Sequence, residues 1–272
     1  MQQHLFGGNT MRILIKGAGD LATGIGWRLH RAGYEVWMTD IAVPTAVRRS
    51  VSFSRAVYES AAEVEGVHAR LAQTEDDGHR IAESGEIPVF VDPEAKIIRS
   101  LKPDVVVDAI IAKKNIGTKM TDAPLVIGVG PGFTAGIDCH RVIETKRGHY
   151  LGRVIEAGSA IPNTGIPGNV GGYTVERIIR AGEDGIFVPK VSIGDQVEVG
   201  QVVAISGNTP VRAQITGIVR GLLQEGVWVT KGMKAGDIDA RCEKAHCFTI
   251  SDKARAIGGG VLEAVCGWEH GK

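Results

Sequence analysis

Residues 11–40 read MRILIKGAGDLATGIGWRLHRAGYEVWMTD, and their pattern decides the fold. The apolar run MRILIK stops at Gly17, a helical period runs from about Leu21 to Ala32, and a second apolar run, EVWMTD, closes at Asp40. Short apolar runs on either side of a helical period read as strand, helix, strand. Gly17, Gly19 and Ala22 stand in G-x-G-x-x-A spacing behind the first strand and at the opening of the helix, as a dinucleotide-binding turn requires. Gly17 permits the tight turn, Gly19 omits a Cβ where phosphate oxygens come close, and Ala22 lets the helix lie against the sheet. The main chain around Ala18 is expected to offer free N–H groups to an anion.

Asp40 follows Gly17 by 23 positions, near the spacing expected of a carboxylate that accepts ribose hydroxyls. No arginine comes next, which favours NAD over NADP. Asp20 suits the positive end of the helix but repels a pyrophosphate unless it points away.

Outward from this unit, IPVFVD (87–92), DVVVDAII (104–111) and LVIGVG (125–130) read as buried strands, and PEAKIIRSL (93–101) as a helix starting at Pro93. Val64 to Leu71 alternates as one strand would. Apolar strands alternating with helices predict a Rossmann-like parallel sheet covered on both faces, so the fold class is α/β. GVGPGFTAG (128–136) lies at the carboxyl edge of that sheet, where ligands of open α/β folds sit, which makes Gly130 and Gly132 candidate cofactor contacts. A tight turn into the next domain explains them equally well. Asp108 and Lys113, Lys114 and Asn115 end a strand at the same edge and read as a polar ligand contact or as a solvated loop.

Past this point RVIETKR and LGRVIEA read as β ribbon, and PNTGIPGNVGG (162–172) as turns. A motif G-x-x-V-x-x-G then occurs twice, at Gly194, Val197, Gly200 and at Gly226, Val229, Gly232, 32 residues apart, each copy leading into an apolar strand. This pseudo-twofold predicts a β-rich domain resembling the barrel-sandwich hybrid of lipoyl and biotinyl carriers. Its expected hairpin tip, SGNTP (206–210), lacks the lysine that a covalent carrier needs, so a docking role is expected instead. The expected organisation is a disordered leader over 1–10, a cofactor-binding domain over 11–135, a connecting β region over 136–183, the barrel-sandwich-like domain over 184–250 and a helical segment over 251–272. In that last segment Gly258, Gly259 and Gly260 cost about 1 kcal/mol each relative to alanine, so something must approach that backbone closely.

With 272 residues, two domains can each bury a core. Lys and Arg total 31, as do Asp and Glu, so the basic excess of a nucleic-acid binder is missing. No stretch approaches the apolar length of a membrane span. Cys139, Cys242, Cys247 and Cys266 form no C-x-x-C pair, so a cytoplasmic protein without disulfides or a zinc ribbon is expected. The neighbours Cys139 and His140, like His246 and Cys247, point to opposite faces if they lie on strands, so no metal site is expected. Tyr173 leads to Arg177, not to the lysine of a Tyr-x-x-x-Lys proton donor, and no catalytic residue is assigned.

Taken together, GAGDLATGIG, GVGPGFTAGIDCHRVIETKRGH, PNTGIPG, GGYTVERIIRA and ISDKARAIGGGVLEA resemble the accessory protein family of the selenium-dependent molybdenum hydroxylase system. The first domain is also similar to the nucleotide-binding part of the xanthine dehydrogenase accessory factor. The resemblance implies a maturation factor partnered with a molybdenum hydroxylase or its assembly machinery. It groups Gly17, Gly19, Asp20 and Thr23 as a shared motif, and it makes a molybdopterin-type nucleotide an alternative to NAD(P) as the cofactor. The competing expectation is an NAD-dependent oxidoreductase whose substrate groups come from residues 130–180. Homo-oligomers are compatible with either.

Overall fold

The computed structural model describes residues 10–271. The expected leader over 1–10 therefore lies, apart from Thr10, outside the described residues. The chain begins with β1 (Arg12–Lys16), α1 (Asp20–Arg31), β2 (Glu35–Asp40), α2 (Arg55–Glu59), β3 (Ala61–Val64), β4 (Val67–Ala72), α3 (Glu75–Glu83) and β5 (Ile87–Val91). It continues through α4 (Ile98–Leu101), β6 (Val105–Asp108), β7 (Leu125–Val129), β8 (Thr134–Ala135), β9 (Arg141–Ile143), β10 (Val154–Ile155) and β11 (Gly158–Ser159).

Nine of these strands form one sheet in the order β10-β9-β7-β6-β1-β2-β5-β4-β3. The seven from β9 to β4 run parallel, while β10 and β3 pair antiparallel at the two edges. The expected parallel Rossmann-like sheet is thus corrected to a mixed one. At one edge the cause is Glu65 and Gly66, both with positive φ, which turn β3 back into β4 as a hairpin where a single strand was expected. The helix expected from Pro93 shortens to Ile98–Leu101, because Asp92 takes up the amides of Ala95 and Ile97 and holds Ala95 in the left-handed region.

Strand alternation divides the interior into two layers. Ile13, Ile15, Met38, Val107 and Ile127 face α1 and the C-terminal helix, while Leu14, Trp37, Val106 and Val126 face the α3 side.

The second part contains β12 (Ile178–Arg180), β13 (Gly185–Pro189), β14 (Gln196–Val197), β15 (Val202–Ser206), β16 (Thr209–Arg212), β17 (Gly217–Leu222), β18 (Trp228–Val229) and β19 (Lys234–Asp239), followed by α5 (Asp252–Glu269). The 32-residue repeat relates β13, β14 and β15 to β17, β18 and β19. Each copy lends its short strand to the other, since β14 pairs with β17 and β18 with β13. Val197 and Val229, equivalent in the repeat, are both buried.

The expected barrel-sandwich hybrid of the lipoyl and biotinyl kind is corrected. The strands form two separate four-stranded antiparallel sheets, β12-β19-β17-β14 and β16-β15-β13-β18. The tip at 206–210 is tied down, with Glu183 accepting from the Asn208 amide and the Thr209 hydroxyl, both at 3.0 Å. The β17–β19 sheet also buries Arg220, Asp237 and Asp239, charges turned toward the first part of the chain.

That first part is fastened to the second through residues 47–50. Val47 O accepts the Leu222 amide at 2.7 Å, Arg49 Nε donates to Leu222 O at 3.1 Å, and Ser50 donates to Cys247 O at 2.6 Å. α5 returns to the large sheet and crosses α1 closely. A Cβ on Gly24 would stand 2.7 Å from that of Ala254, one on Gly258 would stand 2.7 Å from Gly24 O, and one on Gly260 would meet the Gly152 carbonyl. Neighbouring backbone thus explains Gly258 and Gly260, while Gly259 faces open space. Burial of Ile257, Val261 and Val265, worth about 1.5–3 kcal/mol each, outweighs the helix penalty of the three glycines, about 3 kcal/mol.

Candidate functional site

At the carboxyl edge of the sheet the chain turns from β1 into α1 through Gly17, whose φ is +96°. A Cβ there would lie 3.0 Å from Ala109 O, so the turn needs glycine for both conformation and space. Ala22 is buried against the sheet. Gly19 is the N-cap residue of α1 and supplies no side-chain cap. A Cβ built on it would meet nothing closer than Ala46 at 3.9 Å. The first helical amides therefore lack intrahelical partners and open onto free space.

The amides before them are occupied. Gly17 N donates to Thr39 O at 2.8 Å, and Ala18 N donates to Asp40 Oδ2 at 2.9 Å. The expected free amide at Ala18 is thereby corrected: Asp40, expected to wait for a ribose, already accepts it and takes the Ile41 amide on its other oxygen at 2.7 Å. Burial raises the Asp40 pKa, and these two backbone donors oppose the shift. Thr23 is fully buried, its hydroxyl donating to Ala18 O and accepting from Phe53 N, so it holds the turn from within.

A cavity of about 580 Å³ opens over this turn, lined by Gly17, Gly19, Asp20, Leu21, Ala22 and Asp40 and walled by Ile41, Ile110, Ile111 and Ile116. Ile41 and Ile116 are exposed there. Ile111 has φ +61°, a left-handed conformation that a β-branched residue rarely adopts and that tends to occur at ligand sites.

Gly130 and Gly132 do not reach this cavity. A Cβ on Gly130 would collide with Thr145, and one on Gly132 with the Lys114 backbone, so both serve packing of the loops. Asp108 is sealed inside with Lys16 and Thr118. Thr118 donates to it at 2.5 Å, and Lys16 lies 3.6 Å away while donating to Thr118 at 2.5 Å. Asn115 braces its own loop by accepting from Gly117 N and Thr118 N, and Lys113 and Lys114 are exposed. Cys139 is buried, which pushes its thiol up to about 11, and His140 Nδ1 accepts the Val126 amide. Among the described residues, no three His, Cys, Asp or Glu side chains converge as metal ligands, and no helix is long and apolar enough to cross a membrane.

A second cavity, about 660 Å³, adjoins the first and shares Asp20, Leu21 and Lys234 with it. It lies where the large sheet, the β17–β19 sheet and the start of α5 meet. Sequence reasoning missed it. Seven of its lining side chains are Arg or Lys and only Asp20 and Asp237 are acidic. The one signal in the sequence is Arg48, whose guanidinium donates to the carbonyls of His246 and Thr249, 198 and 201 positions away.

No family model matches the chain. It is 51% identical over 253 residues to "Uncharacterized protein YqeB" of Escherichia coli (strain K12), an alignment covering 93% of this chain and 47% of that protein. The chain thus spans about half the length of the curated relative it matches. Similar solved structures include an aspartoacylase family protein from Mesorhizobium loti, 11% identical with a TM-score of 0.26. Others are the ectoine utilization protein EutE (DoeB) from Ruegeria pomeroyi, 12% identical, and a succinylglutamate desuccinylase/aspartoacylase from Rhodobacter sphaeroides, 15% identical, both with TM-scores of 0.25. Each alignment covers 85% of both chains. At these TM-scores the likeness transfers neither fold nor activity to this chain.

These findings correct the expected kinship with the selenium-dependent molybdenum hydroxylase accessory proteins and the xanthine dehydrogenase accessory factor. The structures named above are an aspartoacylase family protein, an ectoine utilization protein and a succinylglutamate desuccinylase/aspartoacylase, and no family model supports the accessory-factor reading. The expected maturation role and the competing NAD-dependent oxidoreductase fall with it.

Proposed function

We propose that this chain binds a phosphorylated nucleotide in the cavity over the β1–α1 turn. The observation that carries the reading is Gly19: an uncapped helix start opens directly into a cavity with room for a ligand and with apolar walls. A phosphate group meets the α1 amides, which favour negative charge. The heterocycle lies against Ile41, Ile110, Ile111 and Ile116. Asp40 shapes the turn and keeps spare acceptor capacity for a sugar hydroxyl, since each carboxylate oxygen has two lone-pair sites. NAD(P) and molybdopterin-type nucleotides both have this chemistry, and a cytoplasmic setting fits the four free cysteines.

Thermal-shift measurements with NAD, NADP, ADP and a molybdopterin dinucleotide test this, with Gly19→Asn as the control. Asparagine fits the open space and the φ of −68° at Gly19, and as an N-cap its side chain takes up the amides a phosphate would use. At least one nucleotide is expected to raise the melting temperature of the wild type and not of the variant. Failure of all four, or an equal rise in the variant, contradicts the reading.

A further inference from the structure

The basic cavity between the two parts of the chain holds buried arginines with unfilled hydrogen-bond capacity. Arg48 and Arg220 are 6% and 7% exposed. Arg220 rises from the middle of β17, and its Nε has no hydrogen-bond partner. The carboxylate nearest to it, Asp239 at 3.8 Å, is already held by Arg241 through bonds of 2.9 and 2.6 Å. Arg48 gives Nη2 to the carbonyls of His246 and Thr249, leaves Nε unpartnered, and stands 3.7 Å from Asp20. Lys253 joins them from the first turn of α5, where burial and then the nearby Arg147 disfavour its charge.

Buried like charges repel and lose their hydration, so they persist where an anion or a function compensates them. Arg177 has its compensation, an ion pair with Asp237 at 2.9 Å. Among the described residues Lys234 and Lys253 have no salt-bridge partner, and Arg220 has only Asp239, at 3.8 Å. The whole chain is formally neutral, so this excess is local. Ser251 and Thr145 add hydroxyls to the same wall.

We infer that this cavity is a binding site for a small ligand carrying two or more linked phosphates, gripped by Arg48, Arg220 and Lys253. The site goes beyond the nucleotide reading, because none of these three side chains lines the cavity over the β1–α1 turn. Planar guanidinium groups suit paired phosphate oxygens, and a linked phosphate chain spans the arginines and the lysine together.

Calorimetric titration of the full chain with inorganic tripolyphosphate tests the site, with ATP and succinate in parallel. Binding of tripolyphosphate, weakened by salt and not matched by succinate, is expected. Tighter binding of ATP assigns the phosphate chain of a nucleotide and tighter binding of tripolyphosphate a free oligophosphate; either supports the site. Arg220→Gln should reduce the affinity by at least about tenfold, since a charged hydrogen bond is lost. Asp239 keeps Arg241 in that variant, so the fold is retained, and Lys253→Ala gives an independent second reading. Absence of tripolyphosphate binding, or affinity unchanged in both variants, overturns the inference. Gly19→Asn should still bind tripolyphosphate, and loss of binding there also overturns it. Tripolyphosphate binding without any nucleotide effect at Gly19 would remove the nucleotide reading alone.

Discussion

The carboxylate of Asp40 accepts the main-chain amide of Ala18 at 2.9 Å, joining the end of β2 to the turn that follows β1. A residue spaced to meet a ligand therefore first closes the protein's own backbone. The amides without an intrahelical partner begin one step along the chain, at the uncapped start of α1 behind Gly19.

Asp40→Ala should cost about 1–3 kcal/mol, because the buried Ala18 amide loses its acceptor. Asp40→Asn, which still presents an oxygen to that amide, should cost less. Urea denaturation of the two variants checks the order, and equal losses would show that the Ala18 contact contributes little.

The glycines at 258–260 should separate sharply. Gly259→Ala meets nothing within 4 Å and should stabilise the helix by about 1 kcal/mol. Gly258→Ala places a methyl group 2.7 Å from the Gly24 carbonyl and should destabilise the packing of α1 on α5. Melting temperatures moving in the same direction for both variants would contradict the close crossing described above.

Asp252 carries a pH dependence. Hydrogen bonding to Arg147, the largest cause, holds its carboxyl down to about 2 against the ordinary 3.8, and burial opposes that. A depressed folded value contributes stability that is complete above the unfolded pKa and is lost as pH falls toward 2. The Asp252 side chain is 71% exposed, so solvent screening limits the contribution to under about 1 kcal/mol. Asp252→Asn should flatten the stability profile between pH 5 and 2 by about that amount, and an unaltered slope would show that the pair is not stabilising.

Thiol chemistry should follow burial. Cys242 is exposed, whereas Cys139 and Cys247 are buried with their thiols pushed up by desolvation. A disulfide reagent at neutral pH should label Cys242 rapidly and the two buried thiols only on unfolding. Fast native labelling of Cys139 would argue for a reactive thiol.

Legibility in the sequence followed the range of the interactions. The β1–α1–β2 unit depends on neighbouring residues, and its helix, expected over Leu21–Ala32, forms over Asp20–Arg31. The 32-residue repeat was equally visible, since apolar and glycine spacing records it directly. The exchange of β14 and β18 between its copies was not, because pairing across copies leaves no local pattern. Glu65–Gly66 was missed because alternation continues through the hairpin and conceals the reversal. A Cβ on Gly19 meets open space, while the Ala18 amide, the Thr23 hydroxyl and the space beside Gly130 and Gly132 are taken up by the protein's own packing. The arginine cavity was beyond reach: Arg48, Arg220 and Lys253 meet only through tertiary structure, and each alone looks like an ordinary surface charge.

The most direct test is equilibrium binding of a fluorescent adenosine monophosphate, which has no linked phosphates for the arginine cavity, to the wild-type chain and to Gly19→Asn at matched salt. Saturable binding to the wild type, and none to a variant that melts no lower, is the predicted result. Equal binding by both proteins would place the nucleotide elsewhere and contradict the account.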